Sequence, residues 1–245
     1  MSPTSSSKPS PPEHADRRAE LARNLTEVRA RIDAACAAAG RDSADVTLIA
    51  VTKTRPATDV MLLAGLGVTD IGENRDQEAA PKAAACAGLP VIWHFIGQLQ
   101  TNKAASVARY ADVVHSVDRL RLVRALGAAA RAAGRELTCL VQVSLDGDTA
   151  RGGVAIGQVG EIAAVLAAEP GLLLGGVMAV APLGMAPETA FAPLGACSDT
   201  VRDIRTDAAI ISAGMSGDLE AAIDAGATHL RIGTALLGAR SLPVR

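Results

Sequence analysis

The chain has 245 residues, of which 49% are hydrophobic and only 2% aromatic, so its core must be built from aliphatic side chains. A formal net charge of −2 argues against nucleic acid or a membrane surface as the main partner. The sequence contains no apolar run of about 18 residues, so it predicts no membrane span. The 4 cysteines are dispersed without C-x-x-C spacing, which predicts a reduced, cytoplasmic protein with no structural metal site.

The N-terminal part of the chain divides into a tail and a helix. Residues 1–12 are rich in Pro and Ser and lack the apolar segment of a secretory signal, so they predict a disordered tail. Between residues 13 and 39, apolar side chains recur at helical spacing among Arg and Glu, at Leu21, Leu25, Val28 and Ile32. This pattern predicts a long amphipathic helix before the first strand.

Eight apolar runs follow, and a segment of helical character separates each from the next. The predicted strands span residues 46–51, 68–72, 91–96, 112–117, 137–144, 172–180, 208–212 and 228–232. Helical connections between consecutive strands imply parallel pairing. We therefore predict an α/β fold: a single-domain TIM (β/α)8 barrel over residues 13–245 that includes the extra N-terminal helix. The alternative is a doubly wound open sheet, but its G-x-G-x-x-G fingerprint is missing after the first strand.

Lys53 follows the first predicted strand, and Pro56 stops that strand from continuing. In such a barrel, functional groups come from the loops at the carboxyl ends of the strands. Lys53 is therefore a candidate nucleophile. A lysine at this place also commonly extends its ammonium into solvent, and the segment alone favours that interpretation.

Two glycine-containing loops follow the seventh and eighth predicted strands. Gly214-Met215-Ser216-Gly217 and Gly233-Thr234 each precede a helical segment and offer backbone N–H groups and hydroxyls to an anion. Turn and capping chemistry explains either loop alone, but both together beside a strand-end lysine favour phosphate. With Lys53, this suggests Schiff-base chemistry on a phosphorylated aldehyde. Arg231 either points into the barrel mouth or forms an ion pair with a carboxylate such as Glu73.

Several ordered blocks of the sequence match one protein family. They are LIAVTKTRP, IGENRDQEAAPK, WHFIGQLQTNK, HSVD, GVMAVAP and SAGMSGDLEAAIDAGATHLRIGTALLG, and they extend from the first strand to the last turn. On these blocks the chain resembles the pyridoxal phosphate (PLP) homeostasis proteins, single-domain relatives of the alanine racemase N-terminal barrel. One departure is Arg55, which stands where the family often has a lysine and cannot form a second imine.

The resemblance implies the roles of seven cofactor-binding residues. It implies that Lys53 holds pyridoxal 5'-phosphate as a Schiff base and that Asn74 lies near the ring. It places Ser216, Gly233 and Thr234 at the phosphate, with Met215 in the same loop, and Arg231 against the pyridine nitrogen. An arginine there disfavours protonation of the ring nitrogen, which weakens the ring as an electron sink.

These residues leave a carrier and an enzyme as alternative functions. We expect a non-enzymatic, cytoplasmic protein, a monomer or weak homodimer, that buffers PLP or delivers it to PLP-requiring apoenzymes. The alternative is an amino-acid racemase, which needs two bases on opposite faces of the substrate carbon. The chain ends soon after Thr234 without room for the additional domain that supplies a tyrosine base in racemases, and we interpret Tyr110 and His94 as structural. A phosphosugar enzyme is a weaker third hypothesis, because no acid partner for Lys53 is evident.

Overall fold

The structure, a computed structural model, describes residues 11–239, without the side chains of residues 11–13 and of Arg151. Residues 1–10 of the predicted tail lie outside the described residues, whereas residues 11 and 12 belong to the first helix, which begins two residues before the predicted boundary. One parallel sheet runs in the order β4-β3-β2-β1-β9-β8-β7-β5-β6, and β4 also pairs with β5. Its strands are β1 (Thr47–Val51), β2 (Asp70–Glu73), β3 (Ile92–Phe95), β4 (Val113–Val117), β5 (Leu137–Ser144), β6 (Val154–Ala155), β7 (Leu172–Ala179), β8 (Ile210–Ser212) and β9 (His229–Ile232).

The pairing of β4 with β5 closes the sheet into a barrel of eight strands, which confirms the predicted (β/α)8 class. The open doubly wound alternative is wrong, because a closed sheet has no edge strands. The two-residue strand β6 pairs only with β5 and is not a barrel strand. It was not predicted, since a pairing this short carries no periodicity.

Helices surround the barrel and occupy the predicted connections. They are α1 (Pro11–Ala38), α2 (Ala57–Ala64), α3 (Asp76–Ala85), α4 (Ala104–Val107), α5 (Leu120–Ala132), α6 (Val159–Ala168), α7 (Pro187–Phe191), α8 (Leu194–Ile204), α9 (Leu219–Asp224) and α10 (Thr234–Leu237). The helical segment between β7 and β8 is interrupted at Pro193, because α7 ends before this residue and α8 begins after it. Proline lacks the N–H that a continuous helix would need there.

The extra helix α1 packs against the barrel by its predicted apolar stripe. Leu21, Leu25, Val28 and Ile32 are all buried. Their helix contacts α9 and α10, which follow β8 and β9. The helix therefore covers the outer side of the two loops that the sequence marks as candidate phosphate loops.

The described part of the chain contains neither a disulfide nor a cluster of metal-binding side chains. Cys36, Cys86, Cys139 and Cys197 are buried and unpaired there, and burial raises the pKa of the Cys139 thiol to about 12. Residues 11–239 contain no group of three or more His, Cys, Asp or Glu that is arranged to hold a metal ion. No helix within these residues has the length and apolar character that crossing a bilayer requires.

Candidate functional site

A cavity of about 260 Å³ opens at the carboxyl ends of β1 and β9. Six of the seven predicted cofactor residues line it: Lys53, Met215, Ser216, Arg231, Gly233 and Thr234. Val51, Arg55, Ile96 and Leu237 complete much of the wall. The strand-end position of these residues brings them together, as expected for a barrel of this class.

The backbone on either side of Lys53 is held in place. The preceding carbonyl, of Thr52, accepts a hydrogen bond of 2.8 Å from Lys82 Nζ. The following residue, Thr54, has a φ of 64°, which is unusual for a β-branched residue. Its N–H donates to Glu78 Oε2 at 2.9 Å and so secures this turn. Strained backbone at a cavity wall points to a functional position.

The Lys53 ammonium lies half-buried in the cavity wall, and within residues 11–239 it forms neither a hydrogen bond nor an ion pair. Burying even part of an amine without a partner is unfavourable, so such a lysine is available for a ligand.

A buried ion pair between Lys82 and Glu73 anchors the peptide that precedes Lys53. Lys82 Nζ contacts Glu73 Oε1, and Thr52 Oγ1 donates to the same oxygen at 2.6 Å. The second oxygen, Glu73 Oε2, is buried without a partner in the described structure, and burial raises the pKa of this carboxyl. The alternative ion pair between Arg231 and Glu73 is therefore wrong, because Lys82 is the cation that Glu73 contacts.

Arg231 enters the cavity wall from β9 and is 5% exposed. Its Nη1 donates to Ser212 Oγ at 2.6 Å and its Nη2 to the Ala179 carbonyl at 2.8 Å. Burial lowers the pKa of this guanidinium to about 10, while the nearby Asp218 charge opposes the shift. Arg231 therefore still carries its positive charge at neutral pH.

The two candidate phosphate loops touch each other. Ser216 Oγ accepts a hydrogen bond of 3.2 Å from the Ala235 N–H at the start of α10. Gly214 has a φ of 86°, and a Cβ there would lie 2.7 Å from Ala222 Cβ, so no other residue fits without displacement. The N–H groups of Ser216 and Gly217 make no hydrogen bond within residues 11–239. This corner of the cavity therefore offers unused donors.

Side chains from α1 and from the loop after β1 form hydrogen bonds with the main chain of the two candidate phosphate loops and of α10. Four of them donate to main-chain carbonyls: Arg17 to Leu237 at 3.2 Å, Asn24 to Leu236 at 2.9 Å, Arg31 to Ser216 at 3.1 Å, and Arg55 to Gly238 at 2.7 Å. The carbonyls of Leu236, Leu237 and Gly238 lie at the end of the short helix α10, which leaves them without helical partners, and the Ser216 carbonyl lies in the loop after β8. Arg55 thus has a structural partner at the cavity wall.

Asn74 is the predicted residue that does not line the cavity. It lies half-buried one residue after β2, the neighbour of β1. Its backbone closely contacts Gly97 after β3, where a Cβ would approach the Asn74 carbonyl oxygen to 2.1 Å. Contact between Asn74 and a cofactor ring stays a prediction.

The histidines of the barrel strands lie away from the cavity wall; His94 and His115 are buried, and His229 is half-buried. His94 bonds to His115 and to Asp70, as expected for a structural residue. Burial, reinforced by the nearby His94 and opposed by the Asp70 charge, lowers the pKa of His229 to about 4. Burial also holds the pKa of His115 well below its usual value.

These depressed pKa values predict that stability falls with acidification below pH 6.5. The unfolded chain takes up protons on both histidines in this range, whereas folded His229 does so only near pH 4, so unfolding is favoured as pH falls. For His229 the loss approaches roughly 3 kcal/mol at pH 4. Urea unfolding at about pH 7 and about pH 5 measures it. His229→Gln should show a smaller difference, and an unchanged difference would contradict the assignment.

Comparisons with known proteins identify the family of this chain. The family described as alanine racemase, N-terminal domain, matches residues 20–241. The pyridoxal phosphate homeostasis protein of Mycobacterium tuberculosis is 45% identical over 246 residues, which cover 93% of this chain and 95% of that protein. The chain belongs to the pyridoxal phosphate homeostasis protein family. This confirms the resemblance inferred from the sequence blocks.

Solved structures of the family have the same fold. PipY of Synechococcus elongatus, solved with PLP bound, is 31% identical, with a TM-score of 0.77 over 89% of this chain and 100% of that one. Alanine racemase from Corynebacterium glutamicum is 15% identical, with a TM-score of 0.69 over 93% of this chain and 62% of that one. At that identity, the comparison with the racemase shows a common fold and no more.

Sequence reasoning missed the residues that support the site of this homeostasis-family barrel. Lys82 lies in an Ala-rich helix and gives no sign that its side chain turns inward to Glu73. Ser212 and His115 lie within apolar strands, where the pattern does not tell the barrel interior from the helix-facing side. Lys82, His115 and Ser212 all lie within the matching blocks, but the blocks alone assigned them no role.

Proposed function

We propose that this member of the pyridoxal phosphate homeostasis family holds pyridoxal 5'-phosphate as a Schiff base on Lys53. The observation that carries the proposal is the convergence, in one cavity, of an unpartnered amine, a buried guanidinium and two loops with unused donors. The relatives carry this cofactor in their name, and PipY has been solved with it.

The chemistry of the donors fits each part of the cofactor. The Lys53 amine suits the aldehyde, because an unpaired amine condenses with a carbonyl carbon and releases water. The Ser216 and Gly217 N–H groups and the Thr234 hydroxyl suit the phosphate, and Arg231 suits the pyridine nitrogen. When bound, the cofactor supplies an electrophilic aldehyde and a ring that can accept electrons.

The charge of Arg231 supports a holding role. Because the Arg231 guanidinium stays protonated at neutral pH, it neither takes up a further proton nor transfers its own proton to the ring nitrogen. An unprotonated ring draws electrons weakly, so carbanion chemistry is disfavoured. We propose that the protein is a non-catalytic buffer or carrier in intracellular PLP (vitamin B6) homeostasis.

A racemase role has less support from the described residues. Racemisation needs two bases that reach opposite faces of one carbon. Tyr110 does not line the cavity, and its hydroxyl is buried beside the Asp76 charge, with a pKa raised mainly by burial. His94 is engaged inside the barrel by Asp70 and His115. Lys53 is then the base that the cavity offers, with no second one opposite it among residues 11–239.

Partners and location follow from the same proposal. A carrier of this cofactor acts in the cytoplasm on PLP-requiring apoenzymes, as a monomer or weak homodimer. What supports the location is the set of unpaired buried cysteines, which suits a reducing compartment. Neither nucleic acid nor membrane is proposed as a partner.

Titration with PLP and a racemase assay on the same sample test this function. We expect a yellow protein whose visible absorbance disappears on borohydride reduction, with the reduced cofactor attached to Lys53. We expect no turnover of D- or L-alanine at enzymic rates. A sample that stays colourless contradicts the cofactor assignment, and turnover that is lost in Lys53→Ala contradicts the non-catalytic role.

A further inference from the structure

A continuous hydrogen-bond chain crosses the barrel interior from Arg231 to Asp70. Arg231 Nη1 lies 2.6 Å from Ser212 Oγ, which lies 2.9 Å from His115 Nδ1. His115 Nε2 lies 2.9 Å from His94 Nδ1, and His94 Nε2 lies 3.0 Å from Asp70 Oδ1. The five residues come from five strands, β9, β8, β4, β3 and β2, so the closed barrel is what joins them.

The chain connects the cofactor cavity with the opposite end of the barrel. Ser212 and His115 are fully buried and His94 nearly so. Asp70 is the first residue of β2 and lines a second cavity, of about 310 Å³, at the amino ends of the strands. No residue lines both cavities. A change at Asp70 therefore leaves the wall of the cofactor cavity untouched.

The two ends of the chain favour one direction for the hydrogen bonds in it. Arginine can only donate and a carboxylate can only accept. With Asp70 accepting, His94 carries its proton on Nε2 and accepts at Nδ1. His115 then also carries its proton on Nε2 and accepts at Nδ1 from the Ser212 hydroxyl, whose oxygen accepts from Arg231. Both imidazoles are neutral in this arrangement.

The opposite direction is disfavoured for two reasons. It requires His94 to be doubly protonated, which puts a second cation in the barrel interior that already holds Arg231. It also makes both Arg231 and His115 donate to Ser212 Oγ, which leaves the serine proton without an acceptor in the chain. An unsatisfied buried donor costs about 1–3 kcal/mol.

Besides the nearby Asp218 charge, the hydrogen-bond chain links Arg231 to a second carboxylate, that of Asp70. Within residues 11–239 this buried cation has no carboxylate at ion-pair distance, and its acceptors are Ser212 and the Ala179 carbonyl. Burial raises the pKa of Asp70, but hydrogen bonds from His94 and Thr69 outweigh that effect and keep it below its usual value. Because hydrogen bonds in series polarise one another, the Asp70 anion makes Ser212 Oγ a better acceptor for Arg231.

We propose that Asp70 is a positioning residue for Arg231: its carboxylate orients both histidines as neutral Nε2–H tautomers, and through them and Ser212 it holds the guanidinium at the cofactor cavity. The role of Arg231 toward the ring nitrogen rests on the proposed function. The orientation of the chain itself does not, since it exists without any ligand.

Nitrogen NMR of the histidine side chains in the ligand-free protein tests the chain directly. We expect His94 and His115 to be neutral at neutral pH, with the proton on Nε2. Asp70→Ala should release His94 from this tautomer, while Asp33→Asn, a charge change in the same amino-end cavity, should not. An imidazolium or an Nδ1–H tautomer at either histidine of the wild type would overturn the proposal.

The spectrum of the PLP-loaded protein tests the effect on Arg231. Asp70→Ala should keep the Lys53 adduct but shift its absorbance maximum and weaken PLP binding about three- to tenfold, and Asp33→Ala should do neither. Ser212→Ala breaks the chain at its other end and should reproduce the shift, which keeps the test valid if Asp70 variants do not fold. Equal behaviour of Asp70→Ala and Asp33→Ala overturns the proposal. If the wild type takes up no PLP, the proposed function fails and the NMR result alone decides the chain.

Discussion

Lys53→Ala should abolish the covalent attachment of PLP completely. The amine at this position faces the cavity without a partner, and no other lysine lines that cavity. PLP added to the variant should give the spectrum of the free aldehyde, and mass spectrometry after borohydride reduction should show no added cofactor.

Two controls separate this chemistry from a folding defect. Lys103→Ala removes a lysine from the loop after β3 that does not line the cavity, and it should retain the full adduct. Pyridoxamine 5'-phosphate, which has no aldehyde, should bind Lys53→Ala nearly as well as it binds the wild type. An adduct that forms in Lys53→Ala would show that another residue is the nucleophile.

Lys82→Met should cost about 3–5 kcal/mol of folding stability, because it leaves the Glu73 charge buried without its cation. The same change frees the Thr52 carbonyl and so loosens the peptide that precedes Lys53. Denaturant unfolding at neutral pH measures the loss, and PLP titration of the folded fraction should show weaker binding.

The size of this loss distinguishes a buried pair from a surface one. Lys103→Met breaks a 3.7 Å contact with Asp76 at a half-exposed lysine and should cost less than about 1 kcal/mol. Combining Lys82→Met with Glu73→Gln should recover much of the stability, since a neutral amide needs no counter-charge. If the two single lysine variants lose equal stability, the pair is not the anchor described above.

The sequence predicted the barrel well because its strands are buried on both faces. Such strands appear as continuous apolar runs, and each ends at a glycine, a proline or a polar residue close to the observed boundary. The prediction of the cavity residues rests on one rule, that strand ends and their loops meet at one face. This rule places Lys53, Ser216 and Thr234 together without any knowledge of their distances.

The same rule does not tell which side chains face each other across the barrel. Arg231 and Glu73 both lie at strand ends, but β1 lies between their strands and Lys82 reaches Glu73 from the outer helix α3. The alternative of an ion pair between Arg231 and Glu73 was wrong for that reason. The histidine chain was missed because it depends on which of two buried faces a strand residue occupies, and that follows only from the closed geometry.

The hydrogen bonds from α1 to α10 show that the segment needed to build the cavity is longer than the segment that forms the barrel strands. A truncation that begins at β1 would retain every barrel strand and Lys53, yet it would remove Arg17, Asn24 and Arg31. The carbonyls of Leu236, Leu237 and Ser216 would lose their donors, and the two phosphate loops would lose their outer support. The boundary of the binding unit therefore lies a full helix upstream of the boundary of the barrel.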